Sequence, residues 1–151
     1  EAELKAREGA SLEQVVARVE ELVPKVQLLA FLDTLTYLQR GGRIPKVAAW
    51  AGSILGIKPL TEMRMGEARL LEKPRSRAKA TQRLLDIAKS RVGDQRVHAN
   101  IMHAHCPEDA LALKEKASRE LNCARLFITE FTPVMGAHIG PGLLGIAFYT
   151  E

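Results

Sequence analysis

The chain of 151 residues contains little cysteine, no long apolar run and no low-complexity segment. Its two cysteines, Cys106 and Cys123, are too few for a disulfide framework, so we expect reduced thiols and a cytoplasmic protein. No apolar stretch approaches the roughly 20 residues that a membrane-spanning helix needs, and the first residues do not have the basic end and apolar middle of a signal peptide. We therefore expect a soluble protein, and the length is that of one domain with its own hydrophobic core.

The chain begins at Glu1, without a methionine, and continues directly into helix-like sequence. We interpret this start as the middle of a longer protein. In this interpretation residues 1–25 form a helix that leads in from a preceding N-terminal domain, and residues 26–151 form a C-terminal domain. Ser11 and Gln14 have the spacing of a capping box at the start of that helix, and Pro24 ends it.

The periodicity of apolar residues predicts an α/β fold, a mixed sheet of about six strands covered by helices. The predicted elements, in order after the first helix, are a strand over 26–32, a helix over 34–40 capped by Asp33 and closed by Gly41-Gly42, a helix over 45–56, a hairpin of 57–65 and 68–72 that turns at Gly66-Glu67, a helix over 76–92 closed by Gly93, a strand over 97–103, a helix over 107–121, a strand over 125–131, a loop that holds Gly136, Gly140 and Gly142, and a strand over 143–149.

The net charge of +4 is concentrated between Arg69 and Arg91, where eight basic residues face only Glu72 and Asp86. Such a segment could meet a phosphate backbone, which makes a nucleic-acid or regulatory interaction module the alternative function. None of the basic residues has an aromatic partner in the segment on which a base could stack. We therefore favour a solvated basic face and do not expect nucleic acid as the partner.

Sequences typical of metal, dinucleotide and hydrolase sites are incomplete. His103, His105 and Cys106 are close together, with His103 and His105 expected on one face of a strand, but a zinc site needs about four ligands and no second cluster supplies them. The glycines of residues 140–145 lead into a strand, not a helix, so they do not bind a dinucleotide. Ser53 lies in a predicted helix and not at a strand-to-helix elbow. We expect no metal, no cofactor and no enzymatic activity.

Two other motifs leave alternatives open. Arg40 and Arg43 flank a double glycine, an arrangement that suits either an anion such as a carboxylate or a solvated helix end. His138 stands between Gly136 and Gly140, and glycines allow the backbone to approach another group closely. This histidine is either presented on an unobstructed loop or buried and satisfied by a carbonyl.

Three segments, taken in this order, resemble the DegV family of bacterial fatty-acid-binding proteins. They are LDTLTYLQRGGRI at 32–44, GSILGIKP at 52–59 and GAHIGPG at 136–142. The resemblance implies a two-domain protein, of which this chain is the C-terminal domain, with a long-chain fatty acid in an apolar tunnel between the domains. It also implies that the bound fatty acid is presented to a separate fatty acid kinase.

The resemblance further implies roles for individual residues. His138 contacts the carboxylate together with hydroxyls of the N-terminal domain, and Arg43, assisted by Arg40, docks the kinase. Residues expected near the ligand are Ser53, Ile54, Leu55, Gly140, Leu143 and Leu144, with Trp50 on the same helix as Ile54. Plain core packing is the alternative for the apolar members of this set. Without the partner domain the exposed tunnel wall is expected to favour a homodimer.

Overall fold

A computed structural model describes residues 1–42 and 56–151 of the chain. Its helices and strands follow in chain order: α1 (Ala2–Arg7), α2 (Leu12–Leu22), β1 (Gln27–Phe31), α3 (Thr36–Arg40), β2 (Leu60–Arg64), β3 (Glu67–Glu72), α4 (Arg77–Val92), β4 (Val97–His103), α5 (Pro107–Glu120), β5 (Cys123–Glu130), α6 (Pro133–Ile139) and β6 (Leu144–Thr150). The predicted helix over 45–56 lies outside the described residues, apart from Gly56.

The strands form one six-stranded sheet in the order β3-β2-β1-β6-β4-β5. Neighbouring strands are antiparallel, except that β4 and β5 are parallel and joined through α5. A parallel pair needs a crossover of this kind, whereas a hairpin joins β2 to β3. The predicted mixed sheet covered by helices is therefore confirmed.

The main core lies between one face of the sheet and helices α4 and α5. Along α4 the inward residues recur with helical spacing, and Ala80, Leu84, Leu85 and Ala88 have no exposed surface. They pack against alternate residues of the strands, since side chains of a strand point to opposite faces in turn. The strand residues of this cluster are Leu29, Phe31, Leu60, Val97, Ala99, Ile101, Leu144, Ile146 and Phe148.

The opposite face of the sheet carries a smaller apolar cluster. Its buried members are Ala30, Leu32, Ala104, Ile139 and Leu143. Helices α3 and α6 lie over this end of the face and contact each other. Because the covering is only partial, Met63 on the same face remains 46% exposed. The fold thus has one closed face and one face that is apolar but partly open.

Several local predictions are confirmed. Ser11 caps α2 in a complete capping box, in which its hydroxyl accepts from the Gln14 amide and the Gln14 side chain accepts from the Ser11 amide. Gly42, with a φ of +66°, is the left-handed residue that follows α3. Gly93, with a φ of +55°, ends α4.

Three local predictions are wrong. The single helix predicted within residues 1–25 is wrong, because the structure has two helices there, α1 and α2, separated at Gly9, whose φ is +83°. Asp33 does not cap α3, which begins after Leu35, because its carboxylate is ion-paired with Lys58 and Arg77 instead. The hairpin turns at Met65-Gly66 and not at Gly66-Glu67. Both turn residues have positive φ, 50° and 80°, which is the geometry that matches the twist of a two-residue hairpin.

No helix within residues 1–42 and 56–151 is long and apolar enough to span a bilayer.

Candidate ligand-binding site

An apolar cleft of about 630 Å³ opens on the partly covered face of the sheet. It is lined by side chains and backbone of β1 to β3, α3 and α6, and by the residue that precedes β6. The lining residues are Leu28, Ala30, Leu32, Leu38, Thr61, Met63, Gly66, Glu67, Ala68, Phe131, Met135, Ile139 and Leu143. The volume lies in the range of pockets that take small molecules, and the walls are overwhelmingly apolar.

The strand register explains why the cleft is apolar. Leu28, Ala30 and Leu32 alternate along β1 and its end, so they share the open face, while Leu29 and Phe31 belong to the main core. The Thr61 hydroxyl is buried, but it donates to the Ala30 carbonyl at 2.9 Å and is therefore satisfied within the protein. The Thr61 hydroxyl proton is thus already engaged within the sheet.

Of the two leucines expected near the ligand, Leu143 lines the cleft and Leu144 does not. Leu144 begins β6 and points into the main core, where it has no exposed surface. The two neighbouring leucines face opposite sides of the sheet because of the strand's two-residue period.

His138 does not stand on an open glycine loop. It lies in the last turn of α6, a seven-residue helix that spans Pro133–Ile139 and is followed by Gly140. Proline suits the first turn of a helix, and Gly140 supplies the positive φ of 75° that ends it. The His138 side chain is half-buried, and it has no hydrogen bond with any residue in the described part of the chain. Met135 and Ile139 of the same helix line the cleft, whereas His138 itself is not among the lining residues.

Gly140 lies in a closely packed position. A Cβ at this residue would overlap the ring of Tyr37 on α3, so only glycine allows α6 to approach α3 this closely. Gly140 was expected near the ligand, and the structure places it against this helix; it is not among the residues that line the cleft.

A charged network, which no sequence motif indicated, holds the turn between α6 and β6. The Arg77 guanidinium donates to the Asp109 carboxylate at 2.6 Å, to Asp33 at 3.3 Å and to the Gly142 carbonyl at 2.5 Å. Lys58 donates to the carboxylate of Asp33 at 2.7 Å and to its carbonyl at 3.1 Å. These residues come from five separate parts of the chain, which is why spacing in the sequence could not reveal them.

His103 and His105, which were expected on one face of a strand close to Cys106, do not share a face. His103 is buried, and its Nδ1 accepts from the Cys106 amide at 3.4 Å. His105 is exposed and has a φ of +55°, because β4 ends at His103 and the alternation of a strand stops there. Burial raises the pKa of the Cys106 thiol. Within residues 1–42 and 56–151 no group of three or more metal-ligating side chains comes together.

The basic segment between Arg69 and Arg91 is largely neutralised. Of its eight basic residues, five form ion pairs: Arg69 with Glu67, Arg77 with Asp33 and Asp109, Arg83 with Glu72 and Asp86, Lys89 with Glu120, and Arg91 with Glu62. Charges that already have partners on the protein attract phosphates weakly. This arrangement weighs against the nucleic-acid alternative.

Of the remaining expected site residues, only Arg40 lies within the part of the chain that the structure describes. Arg40, the last residue of α3, is exposed at one end of the partly covered face. Arg43, Trp50, Ser53, Ile54 and Leu55 lie outside the described residues. Most of the cleft was not predicted from the sequence, notably Leu28, Ala30 and Leu32. Their alternation along the strand was the signal that could have identified them.

These features define the class of the protein: an α/β domain with an apolar cleft on one face of a mixed sheet. A profile described as "Uncharacterised protein, DegV family" matches residues 1–151, and the chain belongs to the DegV family.

The chain spans about half the length of the curated relatives it matches. It is 38% identical over 142 residues to a DegV domain-containing protein of Streptomyces coelicolor, covering 93% of this chain and 50% of the relative. It is 36% identical over 151 residues to a DegV domain-containing protein of Clostridium acetobutylicum, covering 97% of this chain and 51% of the relative.

Solved structures of similar proteins share the fold. A fatty acid binding DegV family protein of Streptococcus agalactiae superposes with a TM-score of 0.81 at 27% identity, covering 99% of this chain and 53% of the other. A DegV family protein of Thermus thermophilus, for which fatty acid binding is described, superposes with a TM-score of 0.86 at 29% identity, covering 99% of this chain and 54% of the other. DegV of Bacillus subtilis, a fatty acid binding protein, gives 0.78 at 28% identity, with 99% and 53% covered.

Proposed function

We propose that this protein binds a long-chain fatty acid whose acyl chain lies in the apolar cleft. The observation that carries the proposal is the cleft itself, about 630 Å³ and lined almost entirely by apolar side chains, in a fold shared with proteins that bind fatty acids. Each methylene buried in such a cleft contributes about 0.8 kcal/mol. The methylenes of a long acyl chain therefore contribute enough binding free energy to hold a fatty acid, which has only one polar end.

The carboxylate needs polar partners, because burying it unpaired is costly. His138 is the side chain we assign to it: it lies one turn from Met135 and next to Ile139, both of which line the cleft, and its ring has no hydrogen-bond partner among the described residues. An imidazole N–H that donates to the carboxylate is sufficient for binding and requires no catalysis. In this proposal, hydroxyls complete the head-group site, and they come from the half of the DegV relatives that this chain does not span.

We further propose that the protein presents the bound fatty acid to a separate fatty acid kinase in the cytoplasm. The kinase, and not this protein, phosphorylates the carboxylate. Arg43 is the docking residue, and Arg40 assists it. Support comes from Arg40, an exposed cation beside the face that carries the cleft.

Mass spectrometry of lipid extracted from the purified full-length protein tests the binding proposal. We expect a co-purified fatty acid, and we expect delipidated protein to be reloaded by added fatty acid. Ala30→Asp places a charge in the floor of the cleft and should abolish loading. Exposed Ala78→Asp on α4, away from the cleft, is the matched control. Protein that carries no fatty acid and cannot be loaded refutes the proposal.

Kinase turnover with loaded protein tests the docking role. Arg43→Ala should retain lipid loading while slowing phosphorylation of the bound acid, and Arg40→Ala should do so to a lesser degree. Arg7→Ala, which removes an exposed arginine of α1, is the control and should change neither. Equal loss of loading and turnover in Arg43→Ala would contradict docking.

A further inference from the structure

The helix that carries His138 is short and weakly held at its beginning. It has seven residues, its N-cap Thr132 makes no side-chain capping bond, and Val134 in its first turn is exposed. A helix of this length has little intrinsic stability and takes its position from its contacts. The contacts that fix α6 are those of Ile139, which is buried in the smaller apolar cluster, and those of the turn of residues 140–142 that follows the helix.

That turn is anchored on three sides. Gly140 packs on the ring of Tyr37, and the Gly142 amide donates to the Ala104 carbonyl at 2.7 Å. The Gly142 carbonyl accepts from the Arg77 guanidinium at 2.5 Å. Arg77 provides the one anchor of these three that comes from a charged side chain.

Arg77 is itself rigidly oriented. Its Nε donates to Asp109 at 2.6 Å, the Nη1 that reaches Gly142 also contacts Asp33 at 3.3 Å, and its guanidinium lies 5.2 Å from the centroid of the Phe31 ring. A planar guanidinium serves several acceptors at fixed angles, whereas a lysine ammonium is a single flexible point. The arrangement therefore aims one N–H at the turn that follows the histidine helix.

We infer that Arg77 is a positioning residue for the carboxylate site, acting through the turn of residues 140–142 on His138. This inference rests on the proposed fatty acid binding and deepens it. Asp109 and Asp33 orient Arg77, Arg77 fixes the Gly142 carbonyl, and the fixed turn sets where the last turn of α6 holds the imidazole. Without the anchor, the apolar cleft persists, but the histidine is no longer held at the head-group position.

The test compares hexadecanoic acid with hexadecanol, which have the same chain but differ in the charged end. Affinities are measured in the delipidated full-length protein, its Arg77→Lys variant and its His138→Ala variant. Arg77→Lys should lower the acid-to-alcohol affinity ratio by about tenfold, the size of one charge-assisted hydrogen bond, and leave alcohol affinity unchanged. His138→Ala should lower the ratio similarly, and the double variant should lower it no further.

Two further variants control for folding. Arg83→Lys changes another ion-paired arginine of α4, held by Glu72 and Asp86, and should leave the ratio unchanged. Asp109→Asn keeps Arg77 in place but weakens its orientation, so it should lower the ratio even if Arg77→Lys fails to fold.

The outcomes separate the two ideas. An unchanged ratio in Asp109→Asn and in any folded Arg77→Lys protein, alongside a lowered ratio in His138→Ala, overturns the positioning role and leaves fatty acid binding intact. Equal weakening of acid and alcohol overturns it also, because the effect would then lie in the cleft. Wild-type protein that binds neither ligand overturns the proposed function, and this inference with it.

Discussion

Replacing each of two adjacent leucines of β1 by alanine should have opposite consequences, because Leu28 and Leu29 face different sides of the sheet. Leu29 has no exposed surface and lies in the main core. Leu29→Ala should therefore lower the free energy of unfolding by about 3 kcal/mol, as is usual for a fully buried leucine. Leu28 is half-buried and lines the cleft, so Leu28→Ala should cost only about 1 kcal/mol of stability.

The effect on ligand affinity should be reversed. Leu28→Ala removes apolar surface that an acyl chain contacts, and we expect fatty acid affinity to fall by about tenfold, equivalent to about 1.4 kcal/mol. Leu29→Ala should leave affinity unchanged under conditions in which the protein is folded. Urea unfolding of the delipidated protein and titration with a fluorescent fatty acid measure the two quantities. If both variants lose stability equally, or if Leu28→Ala binds normally, the assignment of the two faces is refuted.

Further predictions concern packing, ionisation and association. Gly140→Ala should lower the urea midpoint because its Cβ meets the Tyr37 ring at a positive φ, whereas Gly136→Ala, with open space within α6, should raise or preserve it; the reverse order would contradict the packing. Burial raises the pKa of the Cys106 and Cys123 thiols above their ordinary value of 9.0. The folded protein therefore keeps both thiols protonated at a pH at which they ionise in the unfolded chain, so the free energy of unfolding is unaffected at neutral pH and falls as the pH rises above 9.0. Urea midpoints should therefore fall less steeply with pH when both thiols are replaced by alanine, and equal slopes would argue against the shift. The isolated chain should dimerise with rising concentration in sedimentation experiments and return towards monomer when fatty acid fills the cleft; a monomer at every concentration would contradict an exposed apolar face.

Much of the fold could be predicted from local sequence patterns. The capping box of Ser11, the helical spacing along α4 and the strand over Val97–His103 depend only on residues close together in the chain, so local patterns predict them. The errors arose where a residue's partner is distant in the chain. Asp33 looked like a helix cap, but Lys58 and Arg77, 25 and 44 residues away, take its carboxylate.

The candidate site shows the same division. The glycines of residues 136–142 marked the region around His138, and their spacing alone pointed to an open loop. The structure instead has a helix there, because Pro133 starts it, Gly140 ends it and Tyr37 supports its end. A glycine-bracketed histidine is compatible with either conformation until tertiary contacts select one.

The six strands, the helices between β3 and β5, the mixed sheet and the family resemblance could all be predicted from the sequence, since each depends on patterns of neighbouring residues. Three features depend on tertiary contacts: the cleft on the open face of the sheet, the position of Leu143 but not Leu144 in its wall, and the hold of Arg77 on the turn beside His138. The physical reason is that clefts and charge networks are formed by residues far apart in the chain. Their contacts come into being only when the strands have paired and the helices have packed.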